Sequence, residues 1–122
     1  MISTRRLYDP EEPGEHYKVL IDRLWPRGVL KEKAGWNEWI KEIAPSTELR
    51  QWFHHNPDRW DQFKQLYRKE LAQKNNELSR LRQLEKEHRN LALLYAAKDK
   101  EHNNAIVLME YLVQNEGERN GV

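Results

Sequence analysis

Two short apolar runs constrain this 122-residue chain more than any other feature. Val19-Leu20-Ile21 sits inside YKVLIDRLW at residues 17–25, and LALLYAA occupies residues 91–97. Each run is too brief for a buried helix and lacks the polar alternation of a half-exposed strand. Each therefore reads as a strand covered on both faces. ISTRRLY at residues 2–8 mixes β-formers with polar positions and ends at Asp9-Pro10, a turn signal reinforced by Pro13-Gly14, so it reads as another short strand.

The segments between these runs carry helical spacing. Trp36, Trp39, Ile40 and Ile43 predict one helix ending at Ala44-Pro45. Ser46 then caps a short helix bearing Leu49, Trp52 and Phe53. Asn56-Pro57 is a helix start, with Asp58 near the positive end of the dipole. Trp60, Phe63, Leu66, Tyr67 and Leu71 form its apolar stripe. Asn75 and Asn76 are expected to break that helix before a further one carrying Leu78, Leu81 and Leu84, although one bent helix would give the same pattern. Asn103 or Asn104 caps a last helix with Ile106, Leu108, Met109, Leu112 and Val113 on its apolar side.

Strands separated by helices require crossovers, and crossovers favour parallel pairing. The expected fold is one α/β domain over residues 1–116 with a loose tail at 117–122. Its sheet is mainly parallel, with about three or more strands covered by about five helices in a Rossmann-like three-layer arrangement.

Composition narrows the function classes. Five Trp, five Tyr and two Phe supply the bulky apolar surface that a disordered chain lacks, despite 34% charged residues. No apolar run approaches the ~20 residues of a membrane span, and MISTRRLYD lacks the apolar stretch of a signal peptide. The absence of cysteine excludes disulfides, thiolate metal sites and a cysteine nucleophile, and fits a cytoplasmic location. A net charge of +1 gives no global field toward nucleic acid or anionic lipid. Residues 57–89 are mildly basic, with nine Lys and Arg against six Asp and Glu.

In open parallel sheets ligands bind where the carboxyl ends of strands meet helix N-termini. Trp25-Pro26-Arg27-Gly28 forms an exposed elbow after the first apolar run, and Lys98 to Asn103 forms the loop after the second. Arg23 and Arg27 present two guanidinium forks suited to phosphate or carboxylate, with Trp25 and Lys98 as further ligand contacts. The structural alternative pairs Arg23 with Asp22, Asp99 or a helix C-terminus and leaves Arg27 in solvent. His102 is the candidate acid or base, oriented by Asp99, and Asn103 is a candidate ligand contact beside it. Asp99 and Asn103 are equally ordinary turn and capping residues.

His54 and His55 are adjacent, so their side chains diverge, and no partner at helix spacing completes a metal set. No metal or cofactor is expected. His55 instead caps a helix or lines the pocket rim, and Trp52, Phe53 and Trp60 belong to the core. No glycine-rich phosphate loop, G-x-S-x-G elbow or H-E-x-x-H motif occurs.

IDRLWPRG, KEIAPSTELRQWF, HNPDRW and LLYAAKDKEHNNA resemble the YeaO-like branch of a bacterial family, the domain of unknown function 488. The resemblance spans residues 4 to 114. Longer relatives are similar in placing Asp-x-Arg and a proline-arginine turn after one strand, here Asp22, Arg23, Pro26 and Arg27. After another strand they often carry a Cys-His-Arg loop, where this chain has Glu101-His102-Asn103 and hence no thiol. The resemblance implies an α/β fold with its site on these two loops, and it names no reaction.

The sequence thus supports a site for an anionic small molecule, with or without catalysis. The competing reading is a nucleic-acid or protein-interaction module on helices 57–89. There Arg59, Lys64, Arg68, Arg80 and Arg82 would contact phosphates beside exposed aromatics.

Overall fold

The computed structural model describes residues 1–11, 13–14 and 16–114. The expected tail at 117–122 lies outside the described residues. Among the described residues four strands form the sheet: β1 (Ile2–Arg6), β2 (Tyr17–Leu20), β3 (Glu38–Trp39) and β4 (Leu91–Tyr95). Their order is β1-β4-β2-β3, and every pairing is parallel. The most apolar run is the central strand, with all five residues of β4 buried between β1 and β2. Leu91 faces Ile2 on one side and Tyr17 on the other.

The described residues also form four α-helices: α1 (Thr47–Phe53), α2 (Trp60–Leu71), α3 (Asn75–His88) and α4 (Asn104–Gln114). Residue alternation along a strand sends neighbours to opposite faces of the sheet. Val19 and Ile21, with Leu91, Leu93 and Tyr95, meet buried side chains from all four helices in one large core. Leu20, Ala92 and Leu94 point the other way, where Leu7, Trp36 and Trp39 pack on them. The described residues therefore form a helical layer on one face and a smaller indole-rich cover on the other, and not the three layers with about five helices expected from sequence.

The missing helix is the one anticipated over residues 36–43. That segment forms β3 and a single 3₁₀ turn at Lys41–Ile43. A helix would present Trp36, Trp39, Ile40 and Ile43 to one surface. Here the chain wraps the sheet edge, giving the two indoles to one face and the two isoleucines to the other.

Other boundaries follow from local hydrogen bonding. Ser46 Oγ accepts the Leu49 N–H at 3.2 Å and donates to the Glu70 carboxylate at 2.6 Å, tying the start of α1 to α2. Asn56 caps the Pro57–Arg59 turn through a 3.0 Å bond from the Asp58 N–H. Helices α2 and α3 are separate, yet Asn75 and Asn76 lie in the first turn of α3 and do not break the helix. The break falls at residues 72–74, where Lys74 Nζ reaches away to the carbonyls of Glu42 and Ala44 at 2.5 and 2.8 Å. Among the described residues no helix is long and apolar enough to cross a membrane.

Candidate functional site

Strand β2 ends at Leu20, five residues before the apolar pattern does. Asp22 explains the departure. Its carboxylate accepts the Ala96 N–H at 2.9 Å and the Asn104 side-chain amide at 3.2 Å, so a side chain takes over where the ladder stops. The Asn104 amide also lies 3.4 Å from the Ile21 carbonyl. Burial raises the Asp22 pKa from its ordinary value, although these bonds and the nearby Arg50 and His55 oppose the shift. Asp22 thus joins the carboxyl ends of β2 and β4 to the start of α4.

The loop after β4 is equally ordered. Asp99 Oδ1 accepts the N–H groups of Glu101 and His102 at 2.9 and 3.0 Å, while Oδ2 lies 2.9 Å from His102 Nδ1. The Glu101 amide, then the His102 ring, holds the Asp99 carboxyl below its ordinary pKa. Asn103 is only 2% exposed. Its Oδ1 accepts the Ile106 N–H at 3.1 Å and its amide donates to the Asp99 carbonyl at 3.0 Å. It is the cap of α4, and both ends of its side chain are engaged within the fold.

On the facing loop Arg23 donates to the carbonyls of Pro45 and Ala44, at 3.2 and 3.1 Å. Neither Asp22 nor Asp99 is its hydrogen-bond partner. Its Nη1 makes no hydrogen bond among the described residues. Trp25 packs edge-on against Trp36 and Trp39 and donates to the Val29 carbonyl. Tyr8 donates its hydroxyl to the Arg27 carbonyl at 2.7 Å, fixing the backbone of the elbow and leaving the Arg27 guanidinium exposed. Gly28 adopts φ +78°, a left-handed conformation costly for residues with a Cβ.

These loops enclose a cavity of about 860 Å³. Arg23, Trp25, Arg27, Lys98, Asp99, His102 and Asn103 all line it, so the structure brings every candidate site residue to one place. His55 lines it too. Its φ of +54° follows a φ of +44° at His54, and two consecutive left-handed residues swing the chain out of α1.

Sequence reasoning missed Arg50, Arg6 and Tyr8. Arg50 reaches the cavity from α1 and makes no side-chain hydrogen bond or ion pair among the described residues. Its signal was its place one helical turn after the Ser46 cap, which aims its side chain back toward the helix N-terminus. Arg6 donates to the Ala97 carbonyl at 3.1 Å and lies 4.8 Å from the Tyr8 ring centroid. Both residues sit at the carboxyl end of β1, which pairs with β4.

The basic helices look different. Arg59 donates to the Trp52 carbonyl and covers its ring. Arg80 grips Glu38 through two bonds of 2.9 and 3.0 Å, Lys64 sits over Trp60, and the Nε atoms of Arg68 and Arg82 are buried without a partner.

The sequence profile of the inactive DUF488-N3 subclade matches residues 1–121. The chain belongs to the DUF488 family. It is 45% identical over 111 residues to the uncharacterized protein YeaO of Escherichia coli strain K12, covering 91% of this chain and 96% of that protein. It is 41% identical over 70 residues to the uncharacterized protein Rv3073c of Mycobacterium tuberculosis, covering 57% of this chain and 59% of that one. The uncharacterized protein Mb3100c of Mycobacterium bovis matches to the same extent. No solved structure matches. The family read from IDRLWPRG and LLYAAKDKEHNNA is thereby shown.

Proposed function

We propose that the cavity binds a small molecule bearing a phosphate or carboxylate and holds it without chemical turnover. The observation that carries this reading is the charge balance of the lining. Among the described residues that line the cavity, Arg6, Arg23, Arg27, Arg50 and Lys98 stand against two carboxylates, Asp22 and Asp99. Both carboxylates are already engaged by N–H groups of the fold. An excess of cationic side chains set around a pocket attracts an anion that can accept several charge-assisted hydrogen bonds. The site lies at the carboxyl ends of parallel strands, where open α/β sheets place ligands. The description of the matching subclade as inactive favours holding over turnover.

Calorimetric titration with phosphate monoesters and dicarboxylates tests the reading. Saturable binding that weakens at least tenfold in the Arg23→Ala, Arg27→Ala double variant supports it. Binding unchanged in that variant, or none in the wild type, contradicts it.

A second reading has its own observation. The 2.9 Å contact from Asp99 to His102 Nδ1 orients the imidazole, so that its Nε2 could exchange a proton with a bound ligand. Product formation abolished by His102→Gln, with ligand affinity retained, would favour catalysis over holding.

A further inference from the structure

The cationic side chains engage only the charged part of a ligand. The cavity holds about 860 Å³, in the range of sites that enclose whole small molecules, and a bare phosphate or short carboxylate would fill little of it. Of the six large apolar side chains exposed among the described residues, three line this cavity: Leu24 at 58%, Tyr8 at 43% and Trp25 at 39% exposure. Single exposed apolar residues are ordinary on a protein surface, but several gathered at one pocket mark a contact surface. Phe53 and Phe63 also border the cavity, yet both are buried in the core and offer no such surface.

The fold holds the two rings in place. Trp25 packs edge-on against Trp36 and Trp39 and donates its ring N–H to the Val29 carbonyl at 2.8 Å. The Tyr8 hydroxyl donates to the Arg27 carbonyl at 2.7 Å. With both donors engaged inside the fold, what these rings still present to solvent is chiefly apolar. Leu24 adds a wholly aliphatic side chain. Charge lies directly alongside, because the Arg6 guanidinium is 4.8 Å from the Tyr8 ring centroid, and Arg23 and Arg27 bracket Leu24 and Trp25 in sequence. An inorganic anion or a sugar phosphate would satisfy the arginines and leave this apolar surface wet. A hydrocarbon group carried by the anion would remove it from water.

Resting on the anion-binding reading above, we infer that the ligand is a free anionic amphiphile, a phosphate or carboxylate joined to a hydrocarbon chain. Its charged end is held by the arginines, and its hydrocarbon part lies against Leu24, Trp25 and Tyr8. Alkyl phosphates and alkanoates share this chemistry.

The test measures calorimetric affinities of the wild-type chain for ethyl, butyl, hexyl and octyl phosphate and for the alkanoates of matching length, all below their micelle concentrations. A fully buried methylene is worth about fourfold in affinity, so each pair of methylenes added against one wall should tighten binding at least fourfold. Whichever series binds more tightly identifies the head group. In that series Leu24→Ser should weaken the longest member at least fivefold and leave the shortest within twofold. Leu30→Ser, at a leucine 57% exposed that does not line the cavity, should change neither by more than twofold. Circular dichroism confirms that each variant is folded. Affinity independent of chain length, or a Leu24→Ser effect no larger than that of Leu30→Ser, overturns this inference and spares the anion site. Co-sedimentation with phosphatidylglycerol vesicles, without chain-length dependence for the free compounds, likewise overturns it by assigning the surface to a membrane. Failure of every anion to bind overturns both readings.

Discussion

The Asp22 carboxylate accepts the backbone N–H of Ala96 at 2.9 Å across 74 positions of sequence. Where β2 leaves the sheet, this bond holds its end against the end of β4, and Asn104 extends the tie to α4. The two loops that form the cavity are consequently positioned by one acid. Asp22→Ala leaves the Ala96 N–H and the Asn104 amide without their acceptor. It should lower unfolding free energy by about 1–3 kcal/mol in urea titrations.

Burial of the same carboxyl predicts a pH dependence. Its folded pKa is raised above the ordinary value of 3.8, so the folded state binds the proton more tightly than the unfolded state does. Stability conferred by the protonated form is complete below the unfolded pKa and declines as pH rises through the folded one. Asp22→Asn has no such proton. The stability of the wild type relative to Asp22→Asn should therefore fall as pH increases from the ordinary carboxylate value to neutrality, and a difference constant across that window would contradict the burial argument.

Asn103 separates a structural role from a binding one. Both polar ends of its side chain are satisfied inside the fold, one by the Ile106 N–H and the other by the Asp99 carbonyl. Asn103→Ala should cost about 1 kcal/mol through loss of the α4 cap. Ligand affinity measured well below the melting transition should stay within twofold. A large affinity loss in a folded variant would show that Asn103 contacts the ligand directly.

Much of this arrangement is legible in the sequence because the governing effects are local. Ser46, Asn56 and Asn103 each cap the structure that follows, and the apolar run at 91–95 is the buried central strand. The loops carrying Arg23 to Gly28 and Lys98 to Asn104 likewise follow from where the apolar runs stop. What escaped is non-local. Trp36 and Ile40 have helical spacing, yet they pack on opposite faces of a sheet edge that no single-segment pattern encodes. Arg50 and Arg6 enter the cavity only because α1 and β1 come beside the loops in the fold. The end of β2 at Leu20 depends on a bond that Asp22 accepts from Ala96, the residue just beyond β4.

The elbow after β2 offers a backbone test. Gly28 has φ +78°, and a Cβ there would meet no atom within 4 Å, so replacement carries conformational strain without a clash. Gly28→Ala should cost about 1–2 kcal/mol and weaken anion binding by displacing Arg27. Gly35→Ala also enters open space and lacks the positive φ. It should stay within about 0.5 kcal/mol of the wild type, as an ordinary surface change does.

The most direct test of the cavity as an anion site is a ¹⁵N-resolved nuclear magnetic resonance titration with ribose 5-phosphate, following backbone amides and arginine Nε groups. Saturable shifts should concentrate at Arg23, Arg27, Arg50 and residues 96–104, and should be lost in the Arg23→Ala, Arg27→Ala variant. Shifts confined to residues 57–89, or no saturable shifts at millimolar ligand, would contradict the account.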